Sequence, residues 1–199
     1  MIRNYDYYDI NISQGEECIM TINIRSDEYK KIISLCIKSK LEQNGLIRLA
    51  ILNDKIYFLD YYESNEEEII ERTNNHIKYK NKDFIYYQMM TTLLFDPSKE
   101  IWVNYHTHPG LLSVNGLSES DFKTLQYRTN LRNKVYKEVF KTEPPIQVDA
   151  IITEDEVGFY SIVDNKIIKH TLLVDGILIK NVENTNVKIL KRIVKRIIK

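Results

Sequence analysis

Apolar residues recur along the chain with two periods, and the order in which the periods appear outlines a fold. Cys18 to Ile24 (CIMTINI) reads as a β-strand. From Ser26 the spacing changes: Tyr29, Ile32, Ile33, Cys36 and Ile37 share one helical face, with Ser26 placed to cap the helix and Asn44-Gly45 to stop it, so that Glu42 lies at its end. LIRLAILN and KIYFLDYY, split by Asn53-Asp54, predict a hairpin whose first strand is apolar enough to be buried. Glu63 to Lys82 is polar and acid-rich, and FIYYQMMTTLLF after it predicts a second helix stopped at Asp96-Pro97. IWVNYH (101–106) is again a strand. Ser118 opens a long helix reaching about Lys141, with Phe122, Leu125, Val135 and Val139 as its apolar positions, and Pro144-Pro145 ends that region. IQVDAIIT, VGFYSIV and KIIKHTLLV predict three sequential strands. The tail NVKILKRIVKRIIK sets Leu190, Ile193, Val194, Ile197 and Ile198 against a face of lysines and arginines, a basic amphipathic helix.

Strands interleaved with helices predict an α/β (α+β) fold, a mixed sheet with helices packed against it. A length of 199 residues suits one domain. The expected layout is a polar segment at 1–17, a domain at 18–175 carrying an insertion at 63–95, and the basic helix at 176–199. Hydrophobic residues at 43% and charged residues at 28% exclude a disordered chain. Lys plus Arg and Asp plus Glu both count 28, so no net field draws the chain to nucleic acid or anionic lipid. No apolar run reaches the roughly 20 residues needed to span a bilayer. Cys18 and Cys36 show no metal-ligand pairing, nothing near them is arranged to activate a thiol, and no targeting segment is legible, so a cytoplasmic setting is expected.

Chemistry gathers in one stretch, NYHTHPGLLSVNGLSESD at 104–121. Alternate side chains of a strand share a face, so His106 and His108 point the same way and can converge on one ion. Catalytic zinc sites typically take three protein ligands and leave a fourth position open. Asp121 is the natural third ligand, because the glycine-bearing loop from Pro109 to Leu117 can fold the next helix's first turn back onto the histidines. The same residues have a plainer reading. An H-x-H pair on a strand is commonly surface or core decoration, and Ser118-Glu119-Ser120-Asp121 has the form of a helix capping box. As a cap, Ser118 would accept from backbone N–H groups and keep its hydroxyl hydrogen for a substrate oxygen. His76 and His170 have no ligand-like neighbours and read as structural.

HTHP followed by SESD resembles the H-x-H-P…S-x-x-D signature of the JAMM (JAB/MPN-plus) zinc metalloproteases, whose glutamate lies upstream in an E-x-x-G-L context. Glu42-Gln43-Asn44-Gly45-Leu46 matches that context, and the element order agrees from about Cys18 to Val163. The resemblance implies a curved JAB/MPN-like (cytidine-deaminase-like) sheet and a deubiquitinase-like isopeptidase. It implies Zn2+ held by His106, His108 and Asp121, Glu42 as general base with Glu63 in reserve, and Ser118 as donor to the tetrahedral oxyanion. Two departures stand in the chain: a longer loop between Pro109 and Ser118, and Leu49-Ala50-Ile51 where a late-strand glycine is common. The substrate implied is a ubiquitin-like protein or its conjugate, cut after the C-terminal glycine; the 63–95 insertion lies where the family shapes its substrate groove, and reads equally as a partner grip or as a plain solvated loop. Composition rich in tyrosine, asparagine and isoleucine suggests an AT-rich bacterial genome, where such proteases accompany E1- and E2-like operon partners, some acting against phage. The rival expectations are a hydrolase of small amides or sulfur-carrier proteins, and an inactive MPN-minus-type scaffold.

Overall fold

The computed structural model describes residues 20–64, 67, 69–73, 77–79, 99–110, 117–164 and 166–178. In chain order they form β1 (Thr21–Ile24), α1 (Ser26–Lys38), β2 (Asn44–Leu52), β3 (Lys55–Glu63), β4 (Ile69–Arg72), β5 (Ile77–Tyr79), β6 (Glu100–Thr107), α2 (Glu119–Val135) with a π-helical continuation at Tyr136–Phe140, β7 (Asp149–Ile152), β8 (Val157–Val163), β9 (Lys166–Lys169), β10 (Thr171–Val174) and β11 (Ile177–Leu178). The expected segment 1–17, Cys18, the helix at 84–95, His76 and residues 179–199 of the expected terminal helix lie outside the described residues, whereas Ile177–Leu178, expected to belong to that helix segment, form β11.

Nine strands form one mixed sheet in the order β11-β10-β1-β3-β2-β6-β7-β8-β9, and β4 and β5 pair separately. The β2–β3 hairpin turns at Asn53 and Asp54, both with positive φ (51° and 60°), the backbone a two-residue turn needs to match strand twist. The sheet curls: β8 approaches β10, and Phe159 O accepts from His170 N at 2.9 Å. Each face carries a helix. α1 buries Ile32, Ile33, Leu35 and Cys36 in the larger core with Ile47, Leu49, Val103, Ala150, Ile152 and Phe159. On the other face α2 packs Leu125, with Phe122 and Leu117, on Ile151, Tyr160 and Ile162. Strand β7 is buried throughout because its alternate residues serve the two layers.

Several local expectations are corrected. α1 begins at Ser26 itself, with Arg25 at the cap position and no side-chain cap bond; the Ser26 N–H is satisfied by Asp175 Oδ1 at 3.0 Å. That helix ends at Lys38, so Glu42 lies in the connection to β2, and Asn44-Gly45 opens a strand instead of closing a helix. KIIKHTLLV is two strands. The chain breaks at His170, a buried histidine whose Nδ1 accepts from Met20 N at 3.1 Å, and β9 pairs with β8 while β10 crosses to β1. On α2 the inner face is completed by Arg132 and Tyr136, whereas Val139 is exposed, because the π-turn rotates the last positions away.

Candidate metal centre

The β2–β6 ladder brings the proposed residues together. Its register ends at Asn44 opposite His106, and one step outward Gln43 still meets Thr107 through a main-chain bond, with Glu42 next along the chain. Beyond the last β6 residue the backbone stays extended: Thr107 N donates to Gln43 O at 2.8 Å on one side, and His108 N donates to Ile152 O at 2.8 Å on the other. The imidazoles of His106 and His108 therefore share a face. Their Nε2 atoms are 2.9 Å apart. The donor atoms of Glu42, His106 and His108 all lie within 4.8 Å of one another, and Glu42 is buried.

Asp121 arrives from the first turn of α2. Its Oδ1 is 3.0 Å from His106 Nε2 and its Oδ2 is 3.6 Å from His108 Nε2. The capping box anticipated at Ser118 is present in full: Asp121 N donates to Ser118 Oγ at 3.2 Å, and Ser118 N donates to Asp121 Oδ2 at 3.2 Å. One detail differs from expectation. Ser118 Oγ also donates to Asp121 Oδ2, at 2.6 Å, so its hydrogen is engaged by the carboxylate. Ser118 thus orients Asp121 from behind. α2 is itself anchored by Arg128, which donates to the buried Asp149 at 2.5 Å, while Gln147 Nε2 donates to the other Asp149 oxygen at 3.0 Å. Arg128 lies two turns after Asp121, hence on the same helix face.

The donor set fits zinc. Bonds of about 2.0 to 2.1 Å from a tetrahedral centre give ligand atoms about 3.3 Å apart. The His106–His108 contact of 2.9 Å and the His106–Asp121 Oδ1 contact of 3.0 Å lie near that edge, while His108 meets the other Asp121 oxygen, Oδ2, at 3.6 Å; the group whose donor atoms all lie within 4.8 Å of one another is Glu42, His106 and His108. Protonation agrees as well. Burial, then the neighbouring His106, lowers the pKa of His108 against the pull of Asp121, which favours the neutral, ligating imidazole. Burial alone would raise the Asp121 carboxyl, but hydrogen bonds and charge from His106, with Ser118 and His108, hold it down at about 2.

Two neighbours explain why the segment carrying Glu42 stands where it does. Its N–H donates to Thr73 O at 2.6 Å, tying it to the chain that joins β4 and β5. Gly45 lies so close to β3 that a Cβ there would sit 1.9 Å from Tyr62 O and 2.8 Å from Tyr105 Cε1. Glu63, the reserve candidate, is exposed at the end of β3 and is not in the converging donor group. Cys36 packs against the same region, hydrogen-bonded by the His108 backbone; burial and then Glu154 push its thiol up to about 11, which keeps it protonated. The role of Thr107, Arg128 and Asp149 carried no sequence motif, although the nearness of Glu42 to the histidines follows once the β2–β6 register is known.

No family model matches the sequence, and no curated protein matches it. Among solved structures, the solution structure of protein DSY2949 from Desulfitobacterium hafniense is similar over 77% of this chain and 92% of its own, at 13% identity and a TM-score of 0.47.

Proposed function

We propose that the chain is a zinc-dependent hydrolase of the JAMM type that cleaves the amide or isopeptide bond after the C-terminal glycine of a ubiquitin-like protein. One observation carries this reading: the residues of E-x-x-G-L, H-x-H-P and S-x-x-D, far apart in sequence, converge through Glu42, His106, His108 and Asp121. His106, His108 and Asp121 would hold zinc, which when bound supplies Lewis acidity toward water and the scissile carbonyl. Glu42 accepts a proton from the attacking water as the new C–O bond forms, and gives it to the leaving amine as the C–N bond breaks. Burial keeps its carboxylate close to the reacting atoms and away from competing solvent. Ser118 turns its hydroxyl from Asp121 to the developing oxyanion, and the capping-box N–H bonds hold Asp121 in place meanwhile. No helix among the described residues is long and apolar enough to cross a membrane.

The test pairs metal content with turnover of ubiquitin bearing a fluorogenic amide on its terminal glycine, and of glycine-terminated fusions. Purified protein is expected to hold about one zinc per chain. Glu42→Gln is expected to keep the metal and lose hydrolysis. Protein that stays empty after zinc addition refutes the reading, full activity in Glu42→Gln moves the base elsewhere, and cleavage indifferent to the tail assigns the site to small amides.

A further inference from the structure

We propose that Thr107, the residue between the two histidines, is a positioning residue: its side chain replaces a main-chain carbonyl at the end of the β2–β6 ladder and so sets where Glu42 stands. The proposal rests on the reading of Glu42 as the base beside a metal. In an antiparallel ladder a hydrogen-bonded pair exchanges two bonds, N–H to C=O in each direction. Gln43 and Thr107 stand one step beyond the last ladder pair, Asn44 and His106, where the alternation calls for such an exchange. The first bond is ordinary, Thr107 N to Gln43 O at 2.8 Å. The return bond is not: Gln43 N donates to Thr107 Oγ1, at 2.7 Å.

That substitution lets the chain leave the sheet without leaving an amide unsatisfied. One residue before Gln43, the Glu42 N–H turns to Thr73 O, and two residues before, Leu41 N donates to Ser39 Oγ at 3.1 Å. Ser39 Oγ also accepts from Gln43 Nε2 at 2.8 Å, so the connection from α1 is a tight turn fastened to β6 through Gln43. Thr107 is fully buried on the sheet face opposite the imidazoles, so it touches neither substrate nor metal ligands from that side. Its hydroxyl acts on Glu42 through one residue of backbone. Valine keeps the shape and removes the oxygen; serine keeps the oxygen.

The experiment follows Gln43 amide hydrogen exchange and the 13C shift of the Glu42 side-chain carboxyl, with and without zinc, in the full chain and in Thr107→Ser and Thr107→Val. Wild type and Thr107→Ser are expected to protect the Gln43 amide, and Thr107→Val to exchange it about tenfold faster, the loss of one hydrogen bond. On zinc addition the Glu42 carboxyl resonance should move in the first two and respond less in Thr107→Val, while the histidine ring resonances titrate alike in all three. A Gln43 amide unprotected in wild type, or Thr107→Val matching wild type on both readouts, overturns the proposal. If Thr107→Val does not fold, wild type and Thr107→Ser decide through the same amide. Zinc that moves neither ring nor carboxyl resonances in wild type overturns the metal centre and Thr107's place in it, an outcome told apart because Gln43 protection is read without zinc.

Discussion

Gly45→Ala tests the close approach of β2 and β3 beside the centre. The added methyl would lie 1.9 Å from the Tyr62 carbonyl oxygen, a backbone atom, and 2.8 Å from the Tyr105 ring. Carbon and carbonyl oxygen rest no closer than about 3.3 Å, so the strands must part by about 1.4 Å at that point. Overpacking of this kind costs about 1 to 3 kcal/mol. Straining the ladder where Gly45 faces Glu63 adds about 1 kcal/mol for each bond lost. With one bond lost the total is about 2 to 4 kcal/mol, which lowers the melting temperature by roughly 4 to 16 °C in a chain of this size. The displacement also propagates to Glu42, three residues away, and a misplacement near 1 Å costs on the order of 100-fold in rate. Thermal unfolding followed by circular dichroism, with turnover measured well below the transition, reads both effects. A variant melting within 2 °C of wild type, at about the 1 kcal/mol such a shift represents, refutes the close approach. One that melts early yet turns over normally separates the strand contact from the placement of Glu42.

Further outcomes follow from other parts of the fold. His170 is buried and its pKa is lowered by desolvation from 6.5 to about 4, so the unfolded chain takes the proton first as pH falls below 6.5. Stability is full above that value and falls toward pH 4, by about 2 kcal/mol between pH 7.5 and 5 in urea titrations; the same slope in His170→Leu would assign it elsewhere. Arg128→Ala leaves the Asp149 carboxylate buried without its cation, and is expected to cost about 3 kcal/mol and to weaken zinc binding through Asp121; an unchanged urea midpoint contradicts this anchor. Zinc at about 100 times its dissociation constant should stabilise the wild type by about 3 kcal/mol and a chelator should reverse the gain, with His108→Ala insensitive to both.

Much of the fold was legible because periodicity records burial. The β2–β3 hairpin announced itself through two apolar runs around Asn53-Asp54, and the start of α2 through Ser118 and Asp121. The histidine pair followed from strand alternation alone. What escaped was set by tertiary partners. α1 takes its first-turn acceptor from Asp175, distant in sequence, so no side-chain cap at Ser26 is needed. The break at His170 left no glycine or proline to mark it, since a buried hydrogen bond to Met20 makes the bend. Arg132 on the inner face of α2 counts as polar in any periodicity, yet it is buried with a bond to the Ile146 carbonyl. Ser118 was legible as a cap, but the direction of its hydroxyl hydrogen depends on an Asp121 rotamer that the sequence does not specify.

The pairing of β1 with β10 bears on how the chain reaches its final form. Met20 and His170, hydrogen-bonded to each other, are 150 positions apart, and β10 reaches β1 only after every segment of the proposed centre has been synthesised. Closing so long a loop is slow relative to forming the β2–β3 hairpin. During synthesis His106, His108, Asp121 and Glu42 are thus available for assembly while one side of β1 still lacks its neighbour. A chain interrupted before Thr171 keeps the whole donor set but presents β1 as a bare strand edge, open to pairing with other chains.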